Sequence, residues 1–203
     1  MRLSRLVASV TCLLLSACAP DLREDHPFDG AIPSDGESRV TFEPNGDGTT
    51  TSRVDATRKE LFVYVDLDDA REIPGTESVG TQEWDLAFQR FKIISNSGVS
   101  GVGGVEVAVL PGEDFGALAR APASGYQHDA PDGPDGNTDV DSAFLVDDGW
   151  YVYDLSAHKV APRNNVYVVH TARGYYKLKL LAYYDQAGTG AKVSFQWGPV
   201  AAP

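Results

Sequence analysis

Hydrophobic and polar positions alternate along most of the chain beyond residue 60. In "ELFVYVDLDD" (60–69), Leu61, Val63 and Val65 fall on one side of an extended backbone, and the residues between them fall on the other. The segment is also rich in β-branched and aromatic side chains, which favour strands and lower helix propensity. It is therefore predicted to form a β-strand.

The same alternation recurs in further segments, which are separated by short stretches rich in glycine, proline and asparagine. They are "RVTFE", "WDLAFQRFKII", "GVEVAVL", "GWYVYDLS", "NVYVVHT", "YYKLKLLAYYD" and "AKVSFQWG". The second is predicted to be one strand that pairs with the third as a hairpin around "SNSGVSGVGG". Only "DFGALARA" has the pattern of a short helical turn. Recurrent strands without helix-length segments between them predict an all-β fold, a single-domain antiparallel β-sandwich or open barrel with long loops.

The first residues have the pattern of a secretory signal. Arg2 and Arg5 precede an apolar run that is too short to span a bilayer as a helix. The segment "LSAC" at 15–18 then matches the bacterial lipobox, which predicts removal of residues 1–17 and attachment of lipid to Cys18. The alternative, a plain secretory peptide with Cys18 left free, fits this cleavage context less well.

Lipidation of Cys18 sets the predicted domain organisation. Residues 18–38 are polar, contain prolines and lack periodicity, which predicts a flexible tether, and residues 39–203 are the predicted β domain. Cys12 leaves with the signal, so the mature protein is expected to lack a disulfide and to depend on burial of apolar surface. Alanine at position 19 resembles the pattern of lipoproteins sorted to an outer membrane. The predicted location is thus a lipid anchor in the bacterial outer membrane or at the cell surface.

The chain is acidic, with a net charge of −12 at pH 7. Removal of the signal takes away two arginines and no acid, so the mature chain would be more negative still. A nucleic-acid partner is excluded, because neutralising phosphates requires clustered lysine and arginine. Binding of the protein surface to anionic lipid is disfavoured for the same reason, so membrane attachment is predicted to depend on the lipid.

Two long segments carry motifs that occur together in a known family. Residues 84–109 contain "WDLAF" and "SNSGVSG", and residues 150–197 contain "YVVHT", "GYYK" and a final aromatic strand. Over most of residues 60–197 the chain resembles the HmuY family, haemophore-like lipoproteins that bind haem. The resemblance implies an HmuY-like fold with haem in a cleft, held by two axial side chains on opposite porphyrin faces. It also implies a role in haem capture or transfer for iron acquisition, with an outer-membrane haem receptor as the partner.

The framework residues of this resemblance also have structural explanations. Trp84 and Phe88 share one strand face in the predicted strand and are expected to fill the space between two sheets. The glycines of "SGVSGVGG" permit positive φ or close backbone approach, so their expected role is to turn the chain.

The axial ligands that the resemblance implies are histidines. Characterised members use a histidine pair and others use methionines, but Met1 is the only methionine of this chain and is predicted to leave with the signal. His26 lies in the tether, and His170 interrupts a strand, where a lone histidine is expected to be structural. The predicted pair is therefore His128 and His158, loop residues whose separation is close to that expected for the haem-binding members. Two imidazoles would saturate the iron, as a carrier requires.

Four aromatic residues near these histidines in sequence are candidates for contact with the macrocycle. They are Tyr126, Trp150, Tyr151 and Tyr153. For each of them taken singly, packing in the core is the simpler explanation.

The acidic loop at 125–142 has a second candidate chemistry, which is calcium binding. Oxygen-bearing side chains alternate at Asp135, Asn137, Asp139 and Asp141. Such spacing can direct several oxygens toward one hard cation. The EF-hand pattern itself is absent, because Val140 and Val146 stand where it needs a glycine and a bidentate carboxylate. A solvated acidic loop around His128 is the simpler interpretation, with calcium as a brace for it.

No nucleophile, metal-protease motif or acid–base pair suggests an enzyme. Three hypotheses follow for the function. The first is a lipoprotein that binds haem, the second is a calcium-braced surface module that binds a protein or glycan, and the third is a structural envelope lipoprotein that keeps the fold without the haem site. Fold resemblance alone does not choose among them.

Overall fold

A computed structural model describes residues 37–134 and 139–203, and almost all of their regular structure is β. The strands are β1 Val40–Pro44, β2 Thr50–Asp55, β3 Val63–Asp66, β4 Arg71–Ile73, β5 Leu86–Gln89, β6 Lys92–Ser95, β7 Glu106–Pro111, β8 Tyr126–Gln127, β9 Tyr151–Asp154, β10 Lys159–Pro162, β11 Asn165–His170, β12 Tyr175–Tyr184 and β13 Gly190–Val200. Helical structure in the described residues is limited to one turn of α-helix, α1 Gly75–Ser78, and a 3-10 turn at Ala143–Leu145. The predicted all-β fold is confirmed.

The strands form two main sheets and a hairpin. A seven-stranded antiparallel sheet has the order β1-β2-β13-β12-β11-β7-β8, and a four-stranded antiparallel sheet has the order β4-β3-β5-β6. The hairpin of β9 and β10 stands apart as a two-stranded sheet. No helix within the described residues has the length and hydrophobicity needed to cross a membrane.

The main core lies between the two larger sheets. Phe88 of β5 and Phe195 of β13 are fully buried there and stack with ring centroids 5.3 Å apart. Strand β3 is buried on both faces, because Val63 and Val65 enter this core while Tyr64 packs in a second apolar cluster behind the four-stranded sheet. Burial on both faces explains why this strand is apolar at almost every position.

The segment "WDLAFQRFKII" is not the single strand predicted from its alternation. It forms the hairpin β5–β6, whose turn places Arg90 at a φ of 56°. Trp84 precedes β5 and belongs to the second cluster, so it does not share a face with Phe88 in the main core. The left-handed turn residue is the physical reason, since arginine gives no sequence signal for positive φ.

One further local prediction differs from the structure. Strand β7 does not pair with β6 across the glycine-rich connection; it crosses to the seven-stranded sheet and pairs with β8 and β11. The segment "DFGALARA" forms a single turn, as predicted, in which the Leu118 N–H donates to the Asp114 carbonyl at 3.1 Å. The glycine-rich connection therefore joins the two sheets, where a hairpin was expected.

Candidate functional site

The predicted axial pair, His128 and His158, lies on two different elements. His128 directly follows β8; its side chain is 50% exposed and its Nε2 atom lies 3.4 Å from Glu106 Oε1. His158 occupies the turn between β9 and β10 with a φ of 51°, and its Nδ1 atom lies 3.0 Å from the hydroxyl of Tyr153. Both imidazoles are on the surface, where a ligand can reach them.

The long strand β12 separates the two members of this pair. Tyr126, two residues before His128, packs against Tyr175 at the start of β12 with ring centroids 6.2 Å apart. The N–H of Val160, two residues after His158, donates to the Tyr184 hydroxyl at the end of β12, at 3.1 Å. A ten-residue strand is roughly 30 Å long. The structure therefore does not bring the two histidines together, and their joint coordination of haem stays a prediction.

The histidine that lies beside His128 is His170, at the end of β11. Its Nδ1 atom lies 3.0 Å from Glu106 Oε2, so both imidazoles contact the same carboxylate. Its ring stacks on Tyr175 at 4.2 Å with the planes 2° apart. An ionised carboxylate only accepts hydrogen bonds, so Nδ1 is the donor here and a neutral imidazole in this pose has its lone pair on Nε2. This is the arrangement in which proteins present a histidine to a metal.

Tyr126 completes this group of side chains at the edge of the seven-stranded sheet. Its ring lies edge-on to His170 at 6.0 Å and to Tyr175 at 6.2 Å. Its hydroxyl is buried and has no hydrogen-bond partner among the described residues. Burial, helped by the neighbouring Tyr175 and the charge of Glu106, raises the pKa of Tyr126 to about 12. Of the aromatic candidates, Tyr126 is the one that lies in this group with His128.

Asp129 anchors the segment that carries His128. Its buried carboxylate accepts hydrogen bonds from the Ser95 N–H at 3.0 Å, the Ser95 hydroxyl at 2.8 Å and the Ala143 N–H at 2.9 Å. Desolvation raises the pKa of Asp129, while these hydrogen bonds oppose the rise. The carboxylate thereby ties the start and the end of the acidic loop to strand β6.

The glycine-rich connection fits closely against the same anchor. Gly98 has a φ of 53°, and a side chain there would collide with the carbonyl oxygen of Asp129. The same oxygen accepts the N–H of Val99 at 3.2 Å. Glycine is thus required at this position by the close approach of the His128 segment.

The other three aromatic candidates lie with the β9–β10 hairpin. Trp150 is 1% exposed and donates through Nε1 to the Phe91 carbonyl at 3.0 Å, so it is a core residue. Tyr151 packs edge-on against Trp150 at 4.9 Å, and Tyr153 is 46% exposed next to His158. A haem contact by these residues stays a prediction attached to His158.

The candidate calcium ligands are only partly within the described residues. Asp135 and Asn137 lie outside them, as do Cys18 and His26. Asp139 Oδ1 lies 2.6 Å from the ammonium of Lys92, and the backbone of Asp141 pairs with Ala130. A lysine on one of the four candidates opposes a cation there, so the described part of the loop gives calcium no support.

The structure brings together a cluster of carboxylates that was not predicted from the sequence. Asp66, Asp68 and Asp85 place oxygens within 4.8 Å of one another. Arg71 approaches Asp66 at 2.9 Å and Arg173 approaches Asp68 at 3.2 Å, so two arginines offset the charge. The first two acids are visible in "DLDD", but Asp85 comes from a different segment and joins them only through the sheet.

An apolar cleft of about 500 Å³ lies behind the four-stranded sheet. Its walls include Tyr64 and Trp84, and its rim includes three exposed valines, Val79, Val99 and Val102. Trp84 lines this cleft and packs outside the main core, contrary to the expectation from sequence.

Comparisons with known proteins bear on both the fold and the family. The family model described as "HmuY protein" matches residues 58–197. No curated protein sequence matches the chain.

Three solved structures share the fold. One is provisionally named an HmuY-like haem-binding protein from Bacteroides vulgatus; it is 19% identical, has a TM-score of 0.57, and the match covers 79% of this chain and 97% of that one. A second is provisionally named a lipoprotein, from Bacteroides fragilis, with 19% identity, a TM-score of 0.55 and coverage of 77% and 93%. The third is the apo HmuY analog of Tannerella forsythia, with 19% identity, a TM-score of 0.53 and coverage of 78% and 95%.

At this identity the structures establish the fold alone, whereas the family model spans more than half of the chain and carries the assignment. The resemblance predicted from the sequence motifs is confirmed: this chain belongs to the HmuY family.

Proposed function

We propose that this protein binds haem and that His128 is one of its axial ligands. Membership of the HmuY family is the observation that carries the proposal, and one structural relative bears a haem-binding name. The geometry is consistent with it, because the imidazole of His128 is half exposed on a segment fixed by Asp129. Neutral imidazole is a strong ligand of haem iron, and two of them leave no position open for oxygen chemistry.

The second axial ligand is either His158 or His170. His158 has the family-like spacing, but the β9–β10 hairpin would have to move toward the start of β12 to reach the same haem. His170 contacts the same Glu106 carboxylate as His128. Because its Nδ1 atom bonds to this carboxylate, Nε2 is the nitrogen that can bind iron. The described geometry therefore favours His170, whereas the resemblance favours His158.

An absorption titration of the purified protein with ferric haem tests the proposal. We expect a saturable, six-coordinate low-spin spectrum for the wild type. Substitution His128→Ala should convert it to a five-coordinate spectrum and weaken binding by at least about tenfold, since one of two iron bonds is lost. Of His158→Ala and His170→Ala, only the variant that removes the second ligand should do the same.

Two results would contradict this proposal. If the wild type shows no saturable change with haem, the fold serves a structural or calcium-braced role instead. If His128→Ala keeps the wild-type spectrum and affinity, His128 is not a ligand, whatever the other variants do.

We further propose that the protein is a lipoprotein of the bacterial outer membrane or cell surface, which captures haem or passes it to a haem receptor. The lipobox at 15–18 supports the anchor, and one structural relative bears a lipoprotein name. Ligands at the surface suit transfer, because a receptor could reach the haem without disturbing the core.

Removal of the anchor should release the protein from membranes. We expect Cys18→Ala to move it from the membrane fraction to the soluble fraction after a salt wash, because a lipid is the attachment that the sequence predicts. The matched control is Cys12→Ala, which changes the other cysteine and should leave the protein in the membrane fraction. A Cys18→Ala protein that stays membrane-bound would refute the lipobox assignment.

A further inference from the structure

The apolar cleft behind the four-stranded sheet has the size and the surroundings of a ligand site. Its volume of about 500 Å³ falls within the range of small-molecule pockets, roughly 300–1,000 Å³. Tyr64 and Trp84 form its walls, and the valines of its rim, Val79, Val99 and Val102, are 55%, 46% and 57% exposed. Exposed apolar side chains grouped around an apolar cleft mark a surface that a binding partner covers.

A single buried amide holds the two lips of this cleft, residues 78–81 and 98–103, in place. The Asn96 side chain is fully buried, and its Nδ2 atom donates to the Thr81 carbonyl of the first lip at 2.9 Å. Its Oδ1 atom accepts the Gly103 N–H of the second lip at 2.9 Å. The lips are therefore fixed before a ligand arrives, which lowers the ordering cost of binding.

We propose that this cleft binds the alkyl chain of an amphiphile whose head group is neutral or cationic. Burial of an alkyl chain is favourable in proportion to the apolar area removed from water, and the apolar surface here extends from the walls out to the rim. The volume is about three times that of a cavity that holds benzene, roughly 150 Å³, so a single ring would leave most of the cleft unfilled.

The charges around the cleft decide which head group the ligand carries. None of the described residues that line it has a charged side chain, and Glu77 is exposed next to the lining residue Ser78. Arg71, on the four-stranded sheet, already forms ion pairs with Asp66 at 2.9 Å and with Glu83 at 3.0 Å. Because the whole chain carries a net charge of −12, an anionic head group would be repelled, whereas a neutral or cationic one would not.

Fluorescence and calorimetric titrations of the purified, full-length Cys18→Ala protein with dodecyl amphiphiles test this inference. Removing Cys18 keeps the predicted lipid, and the detergent it would require, out of the titration. Below their critical micelle concentrations, dodecyl maltoside and dodecyltrimethylammonium should each bind saturably, one per chain, and change the tryptophan fluorescence, because Trp84 forms a wall of the cleft. Dodecanoate should bind at least about tenfold more weakly, because its head group is anionic.

A pair of double variants assigns the binding to this cleft. Val79→Asn with Val102→Asn should weaken the binding of dodecyl maltoside at least about tenfold, because amides replace the apolar rim at two exposed positions. The matched control, Val152→Asn with Leu155→Asn, alters exposed apolar residues of the β9–β10 hairpin and should bind normally.

Three results would overturn the inference: no saturable binding of the neutral and cationic probes, binding of dodecanoate as tight as theirs, or equal affinities of the rim variant and its control. The titrations contain no haem, so these outcomes are independent of whether the protein binds haem.

Discussion

Replacing Asp129 with alanine is expected to lower the free energy of unfolding by about 3 kcal/mol or more, since each buried hydrogen-bonding group left without a partner costs about 1–3 kcal/mol. Asp129 is only 2% exposed. Its carboxylate accepts hydrogen bonds from the Ser95 N–H, the Ser95 hydroxyl and the Ala143 N–H. Alanine would leave the two backbone donors without a partner inside the protein, whereas the Ser95 hydroxyl would keep the Ser97 hydroxyl at 2.8 Å. Urea unfolding followed by tryptophan fluorescence measures the change.

The matched control is Asp132→Ala, which removes an exposed aspartate of the same loop and should change stability by less than about 0.5 kcal/mol. Asp129→Asn should fall between the two, because its amide keeps one accepting oxygen. An Asp129→Ala protein as stable as the control would show that the anchor contributes little to the fold.

The same substitution should also weaken haem binding if His128 is a ligand. Asp129 is not a proposed haem ligand, so its effect would come through the position of the neighbouring imidazole. The affinity should therefore fall even at temperatures where Asp129→Ala is still folded, and the Asp132→Ala control should bind normally.

Replacing Asp85 with asparagine is expected to stabilise the protein at neutral and higher pH. Burial, with the charges of Asp68 and Asp66, raises the pKa of Asp85 to about 7. The folded protein therefore holds this proton more tightly than the unfolded chain, where the value is about 3.9. Stability from this group is present below about pH 4 and is lost as pH rises to about 7, a difference of roughly 4 kcal/mol.

Asparagine removes this dependence, because it stays neutral while its oxygen can still accept the Leu67 N–H, which donates to Asp85 at 2.7 Å. Unfolding curves of both proteins between pH 4 and 8 should diverge, with Asp85→Asn gaining relative to the wild type as pH rises. The half-exposed Asp69, which follows Asp68 in the chain but lies outside the cluster, provides the control variant Asp69→Asn. Parallel curves for Asp85→Asn and the wild type would show that Asp85 is already ionised at low pH in the folded state.

The strands were largely predictable because alternation is a local property of the sequence. The segments around β3, β7 and β11 show it directly, and the order of motifs also identified the family. Pairing was not predictable in the same way. The turn at Arg90 has no glycine or proline to mark it, and the partner of β7 is set by packing between sheets that are distant in sequence.

The candidate site was likewise predictable only in part. His128 was predicted to be a ligand and His170 to be structural, whereas nothing in the sequence pointed to Glu106. Their meeting depends on the pairing of His170 with Glu106, residues that are 64 positions apart. Local sequence holds no information on such a register.

Composition, alternation and motifs are properties of neighbouring residues, and they sufficed to predict an acidic, all-β member of the HmuY family with a lipobox. Which side chains come together could be read only from the fold. It placed His128 beside Glu106 and His170 and placed His158 near the other end of β12. The reason is that β-sheet pairing joins residues far apart in the chain, and a strand's length then separates residues that spacing alone would have grouped.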